Sequence, residues 1–581
     1  MRFPSVTALT ERAWIVALRF PWTLAAGAIA AAAACAAVDD PSAEADRWGR
    51  IAMTVMLAVP LSAAVTLAGE RRGWSRAAGA ALQLAGIALL ALFYAGWPGP
   101  REQWEMLRYL QLSAALHLLV AVLPFIRGPE TSAFWEYNRQ LFLAFLRAAV
   151  FSAVLFVGLA IALAALDKLF GVHVPGRLYA RLWLVIALLG NTWIFLAALP
   201  DDVAMRENAT DYPRALKIFT QFILTPLVGV YLVILTAYLA KILVTRQWPS
   251  GWIGWLVGSV AVSGILGFLL VDPLRRARDE GWIGIYARWL FLGLIPAAIM
   301  LLLALGKRIE PYGLTELRVS ALALGVWLLT VAVVYTVRPH SGIRLIPLSL
   351  AAVLAVLMAG PISATRLSIR SQTHRLSRLL ARYAGGTPRD ATPELRQELS
   401  GATRYLVERH AADPLERTFG IRIPADTGRI AGRADSTAAR LLATKSIVYL
   451  PAEYTRRFYR TLSRPRGVPV ATAGYQWLVE MDAGDTGTVL VGTDSLHYGT
   501  DTTRTLLTLT SRGGDTLRFE LAAAARAVAV QTVPPSAWTA QPFVVAAETD
   551  RFRGLLALQS IYGAGDGKIS GWSAQLLLAL R

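Results

Sequence analysis

GWIGWLVGSVAVSGILGFLLV, residues 251–271, runs for 21 residues without a charged side chain. As a helix rising about 1.5 Å per residue it covers about 30 Å, the depth of a bilayer's hydrocarbon core. Its flanks are of a different kind. Trp248, Pro249 and Ser250 precede it, and Asp272, Pro273, Arg275 and Arg276 follow. Proline lacks the donor needed to continue a helix, and Trp and Arg belong at a membrane–water boundary. Residues 251–271 therefore read as a transmembrane helix.

Ten further runs of this type lie near 17–38, 51–69, 77–96, 108–126, 141–166, 179–199, 217–244, 285–305, 319–337 and 344–363. Short loops rich in Pro, Gly, Arg and Asp separate them, as in Trp97-Pro98-Gly99-Pro100 and Pro200-Asp201-Asp202. The expected fold class is an α-helical integral membrane protein of about eleven transmembrane helices, within a range of 10–12, with a C-terminal soluble β-rich (α+β) domain. The fifth run follows Phe134-Trp135-Glu136-Tyr137-Asn138-Arg139, which reads as a segment lying in the interface before the chain turns into the bilayer.

Composition agrees. Of 581 residues, 55% are hydrophobic and 17% charged, where a soluble domain carries about 25%. That excludes a soluble enzyme, a disordered chain and a fibrous protein. There are 58 Lys and Arg against 39 Asp and Glu, a net charge of +19. The excess is spread over both parts, with 30 bases and 20 acids in residues 1–363 and 28 and 19 beyond. Such a surplus points to anionic lipid headgroups as partners. With no module of interleaved basic and aromatic residues, nucleic acid is not expected. Cys35 is the only cysteine, which excludes an intrachain disulfide and a cysteine-based metal site. The first apolar run is read as an uncleaved span, since further spans follow it.

Residues 1–363 thus form the transmembrane domain. After Pro361 the pattern changes. Arg366, Arg370, His374, Arg378 and Arg382 recur every four residues, with Arg375 beside them. Residues 364–383 read as a basic interfacial helix, with Arg366, Arg370, Arg375, Arg378 and Arg382 as lipid-interface candidates; a docking surface for a partner is the alternative. Residues 384–581 form a soluble tail, a candidate site for a protein partner. It reads as helical at 390–412, mixed over 413–470 and β-rich from about 474. There Tyr475–Glu480, Thr488–Val491, Thr505–Leu509 and Thr516–Glu520 alternate with a period of two, as half-buried strands do. Further strands are expected at Phe543–Ala547, Arg551–Ile561 and Ile569–Leu580.

With a cytoplasmic N-terminus, 16 Lys and Arg fall on the inner side of the first domain and about 12 on the outer. Eleven spans then place the tail outside the cytoplasm. The Arg residues after the last span argue the other way.

No phosphate-binding glycine loop, paired zinc histidines or nucleophile elbow is present. The sequence therefore leans away from an enzyme and calls for no catalytic residue, cofactor or metal. The polar residues inside spans are the substrate-path candidates. Asn191 and Thr192 lie in the sixth. Gln221 and Thr225 share a face of the seventh, where Pro226 frees a carbonyl one turn earlier, and Tyr238 and Lys241 follow. His117 lies in the fourth. Interrupted helices with polar groups are how transporters build substrate sites. The plainer alternative is helix-to-helix bonding, with Lys241 reaching for the interface. Transport or translocation of a small substrate is the first expectation. A non-catalytic scaffold or sensor whose tail binds a partner is the second. The third is a lipid-linked glycosyltransferase, whose layout resembles the acidic first loop (Asp39, Asp40, Glu44, Asp46) followed by a β-rich tail.

Several motifs resemble one bacterial membrane-protein family. They are Phe134-Trp135-Glu136-Tyr137-Asn138 with Leu141-Phe142-Leu143, Ala165-Leu166-Asp167-Lys168-Leu169-Phe170-Gly171-Val172 with Pro175-Gly176, Asn191-Thr192-Trp193, Tyr212-Pro213 and Leu216-Lys217-Ile218-Phe219. Ala237-Tyr238-Leu239-Ala240-Lys241, Gly306-Lys307-Arg308-Ile309, Tyr312-Gly313-Leu314-Thr315-Glu316 and Ser368-Ile369-Arg370-Ser371-Gln372 continue the series. The chain resembles the family of domain of unknown function 4153 from about residue 130 to about 380, with its core over 130–363. The resemblance implies a multi-pass bacterial membrane protein and brings no activity; the expected location is the bacterial cytoplasmic (inner) membrane.

Overall fold

The computed structural model describes residues 6–40, 44–97, 99, 103–127, 132–200, 212, 217–246, 253–276, 281–358, 360–384, 392–409, 411–423, 433–450, 458–461, 474–502, 504–521, 544–563 and 569–581. Two compact units divide the chain, Met1–Ser371 and Gln372–Arg581.

The first unit is helical. A short helix, α1 (Val6–Arg19), precedes α2 (Pro21–Asp39), α3 (Glu44–Arg72), α4 (Arg76–Gly96), α5 (Gln103–Val122) and α6 (Ser132–Phe170). Next come α7 (Gly176–Ala197), α8 (Phe219–Thr245), α9 (Ile253–Val271), α10 (Gly281–Tyr312), α11 (Glu316–Val337) and α12 (Leu345–Met358). Among the described residues ten helices, α2 to α11, are long and apolar enough to cross a membrane. The eleventh run is a shorter apolar helix of 14 residues. The fifth run differs from expectation at its start. Phe134–Arg139 is not a separate interfacial piece but the opening of one continuous 39-residue helix. Its register is set by Arg147, which donates to the carbonyl of Ala198 at the end of α7, 3.3 Å away. Between Arg147 and Asp167 α6 carries no charge.

Contacts at helix ends sort those ends onto two faces of the bundle. On the first face, Arg19 pairs with Glu70 at 2.8 Å, joining the start of α2 to the end of α3. Arg72 donates to the Leu123 carbonyl at 2.9 Å, and Arg344, just before α12, donates to that of Phe125 at 2.6 Å. On the second face, Asp39 pairs with Arg181, joining the end of α2 to the start of α7. Trp97 Nε1 donates to the Glu105 carbonyl at 3.2 Å. Leu357 of α12 and Ala364 cluster with Val319 of α11 and with Leu314. Helix α12 therefore leaves the first face at Arg344 and arrives at the second near Val319. Short as it is, it completes an eleventh passage.

A helix rich in Arg, α13 (Ala364–Ala384), follows and runs into the second unit. That unit contains α14 (Pro393–Glu408), α15 (Ala412–Phe419) and α16 (Arg433–Ala443). Thr392 caps α14 by accepting from the Leu395 N–H at 3.3 Å, and Pro393 occupies the first turn, where no N–H is needed. Helix α14 ends at Glu408, so the expected 390–412 segment is divided. The strands are β1 (Phe458–Thr461), β2 (Trp477–Asp482), β3 (Gly487–Val491), β4 (Asp494–Thr500), β5 (Leu506–Ser511), β6 (Thr516–Glu520), β7 (Val544–Glu548), β8 (Phe552–Gly563) and β9 (Ile569–Leu580). One antiparallel sheet runs β1-β8-β9-β2 with β7 also on β8; the other is a meander, β3-β4-β5-β6. Alternating residues of both sheets, including Leu507, Leu509, Leu517, Phe519, Phe552, Leu556, Leu576 and Leu578, share one core. The fold class is thus the expected one. Strands β1 and β4 add to the expected set, and residue 543 lies outside the described residues.

Candidate functional site

The residues Trp135-Glu136-Tyr137-Asn138 open α6 and meet the ends of two other helices. Helix α5 gives way at Pro124 and α9 at Pro273, each inside a tight turn, Leu123–Phe125 and Asp272–Arg276. A proline offers no N–H to the carbonyl four residues before it. For Pro124 that carbonyl belongs to Val120, and for Pro273 it belongs to Leu269. Tyr137 Oη donates to Val120 O at 2.8 Å, and Trp135 Nε1 donates to Leu269 O at 2.8 Å. Asn138 Nδ2 adds a bond to Ala121 O at 3.2 Å. Tyr137 and Trp135 each supply a donor that a proline removed. Tyr212 stacks on Trp135 with ring centroids 5.5 Å apart and donates to Leu270 O at 2.9 Å. Burial pushes its phenol up to about 12, with Arg139 opposing. Glu136 accepts from Arg139 Nε and from Gln140 Nε2, both at 2.8 Å, so its charge is matched within the helix.

The substrate-path candidates fall mainly on two helices. In α7 a π turn, Ile186–Gly190, immediately precedes Asn191. In α8 another, Phe219–Leu224, contains Gln221 and immediately precedes Thr225 and Pro226. Such turns insert an extra residue into the helical register and recur at functional sites. Ser152 of α6 donates to Asn191 Oδ1 at 3.3 Å. Thr192 is buried and donates to Leu188 O at 2.7 Å, as Thr236, Thr330 and Thr336 do to carbonyls four residues back. Thr220 and Thr225 break this habit. The hydroxyls of both are buried without a partner, and Thr220 is 0% exposed. The N–H of Thr225 reaches back five residues to the Thr220 carbonyl. Sequence reasoning found Gln221, Thr225 and Pro226 but not Thr220, because a lone Thr in an apolar run carries no signal until its register is known.

Asn191 and Thr192 face α6 and α2, where Gly27 approaches Leu188 and Thr192. Helix α8 packs instead on α9 and α10, with Leu224 against Gly267 and Val228 against Gly264. The two candidate pairs therefore have different neighbours. Tyr238 is half-buried against the core, whereas Lys241 is exposed at the end of α8. His117 of α5 is exposed, and its Nδ1 is 2.7 Å from the Ser113 carbonyl of its own helix. Asp39 of the acidic first loop is held by Arg181; residues 41–43 lie outside the described residues. Among the described residues no group of three or more His, Cys, Asp or Glu is placed to hold a metal.

On α13, Arg366, Arg370, Arg378 and Arg382 are more open than Arg375, which is 9% exposed and pairs with Glu398 of α14 at 3.5 Å. A buried guanidinium needs such a counter-charge, so Arg375 leaves the set of lipid-facing candidates.

The comparisons with known proteins concern the membrane unit above all. The chain is 23% identical over 276 residues to an uncharacterized protein, PM1469, of Pasteurella multocida (strain Pm70). The match covers 47% of this chain and 45% of that protein, so the chain spans less than half of its relative's length. No solved structure matches. The model of the family described as domain of unknown function (DUF4153) matches residues 25–398, reaching well before the 130 suggested by motifs alone and extending through α13. The chain belongs to the family of domain of unknown function 4153.

Proposed function

We propose that the first unit moves a small polar solute across the membrane, with the break at Phe219–Pro226 as its site. The carrying observation is the pair of buried hydroxyls, Thr220 and Thr225, that have no partner. A buried polar group left unsatisfied costs about 1–3 kcal/mol. A passing solute with donors and acceptors of its own offsets that cost. Pro226 adds an acceptor, since it offers no N–H to the preceding turn. Gln221 lies between the two hydroxyls in sequence and completes a set of amide, hydroxyl and carbonyl groups. Interrupted membrane helices of this kind hold solutes in transporters.

The test uses a strain lacking the protein and the growth defect that results. Thr220→Val with Thr225→Val, and separately Gln221→Leu, are expected to lose complementation while membrane abundance stays at the wild-type level. Equal loss of abundance and complementation would assign these residues to packing instead.

For location we propose the bacterial cytoplasmic membrane, with the N-terminus inside and the tail outside. This rests on the eleven passages and on the loops of the first domain, which carry 16 Lys and Arg on the N-terminal side and about 12 on the other; the five Arg of α13 lie on that other side and weigh against it.

A further inference from the structure

We propose that the outward-facing arginines of α13 bind the phosphate headgroups of anionic phospholipids, in the leaflet where the eleventh passage ends. Helix α13 carries five Arg and no Asp or Glu in its 21 residues. At about 100° per residue, Arg366, Arg370, His374 and Arg378 fall within an arc of about 120°. None of the four is buried. Ala364, Ser368, Gln372, Leu376 and Leu379 are buried and occupy the opposite arc. The helix thus turns one face to protein and presents outward a face that carries bases and no acid. Arg375, on the protein side, already has Glu398.

Depth supports a lipid rather than a protein ligand. Ala364 packs with Val319 of α11 and Leu357 of α12, and the N–H of Leu314, between α10 and α11, donates to Ser371 Oγ at 3.0 Å. The first two turns of α13 therefore lie against the ends of membrane helices, where headgroups are. The helix dipole supports an anion. Arg366 and Arg370 sit in the first two turns, the end where a cation is unfavourable and a negative group favourable. Guanidinium groups match phosphate oxygens in a two-pronged geometry and reach them along an apolar stem.

The experiment titrates the detergent-purified full chain with dioleoyl phosphatidylglycerol or dioleoyl phosphatidylcholine and counts bound lipids by native mass spectrometry. The wild type is expected to bind its first phosphatidylglycerol at least about tenfold more tightly than phosphatidylcholine, since each basic residue near a surface contributes roughly fivefold. Arg366→Gln/Arg370→Gln/Arg378→Gln is expected to lose that preference. A control, Arg417→Gln/Arg422→Gln/Arg512→Gln, removes three arginines elsewhere in the chain that are likewise not buried and is expected to keep it. If the triple variant fails to fold, the wild type still decides, because raising salt from about 0.1 M to about 1 M is expected to abolish the preference. Equal binding of the two lipids by the wild type would overturn the proposal. So would an unaltered preference in the triple variant, or displacement of phosphatidylglycerol by inorganic phosphate alone, which would make the ligand a free anion. A stripe that is indifferent to lipid and retains an acidic protein would overturn it in favour of protein docking.

Discussion

Tyr137 and Trp135 illustrate how single side chains set the architecture of a membrane bundle. Each replaces an N–H that a proline withheld, in surroundings where water does not. Tyr137→Phe is expected to lower thermal stability in detergent by about 1–3 kcal/mol, since it strands a buried carbonyl. In a Pro124→Ala background the same substitution is expected to cost less, because the backbone N–H gained at position 124 returns a donor to Val120. Equal costs in the two backgrounds would show that the bond is not what matters. In the tail, a Cβ on Gly554 would lie 2.6 Å from Cζ of Phe519, which is fully buried. Gly554→Ala is therefore expected to destabilise the second unit by about 1–3 kcal/mol, measured by urea unfolding followed by Trp fluorescence. The prolines and the aromatic motif are all visible in the sequence. Their pairing is not, because Trp135 and Leu269 are 134 residues apart and periodicity identifies a face without naming the acceptor opposite.

At the scale of elements, hydropathy locates the helices because a bilayer demands long uncharged runs. It cannot see the π turns. A run apolar on every side looks the same at any helical pitch, so the register shift that isolates Thr220 and Thr225 leaves no mark in composition. Pro226→Ala returns an N–H to this break. It is expected to raise the melting temperature while abolishing complementation, and a variant that melts higher and complements fully would separate the break from function. The tail is less legible. In strand β4 (Asp494–Thr500) Leu496 is buried and its neighbours do not alternate cleanly, so a period of two does not stand out, and β1 has only four residues. The basic stripe is legible through its spacing, but the exception at Arg375 needs the position of Glu398.

For the molecule as a whole, eleven passages put the start of α2 and the start of α13 on opposite faces. Alkaline phosphatase fused after Arg581 is expected to be active in a bacterial host, and a fluorescent protein at the same place is expected to stay dark. The reverse pattern would mean that α12 turns back, or that residue 19 lies outside. Counting runs gives the number of passages, but a 14-residue helix qualifies only because Arg344 and Leu357 are pinned at opposite faces. The opening of α6 has a mechanical consequence. Trp135 and Tyr137 are two residues apart, so about 200° of helix separates them, and they grip neighbours on opposite flanks. Helix α6 is a yoke: a rotation that relaxes one grip strains the other. Any opening of the bundle on this face must carry the ends of α5 and α9 along with α6 as one body, so the moving parts must be sought among the helices that the yoke does not hold.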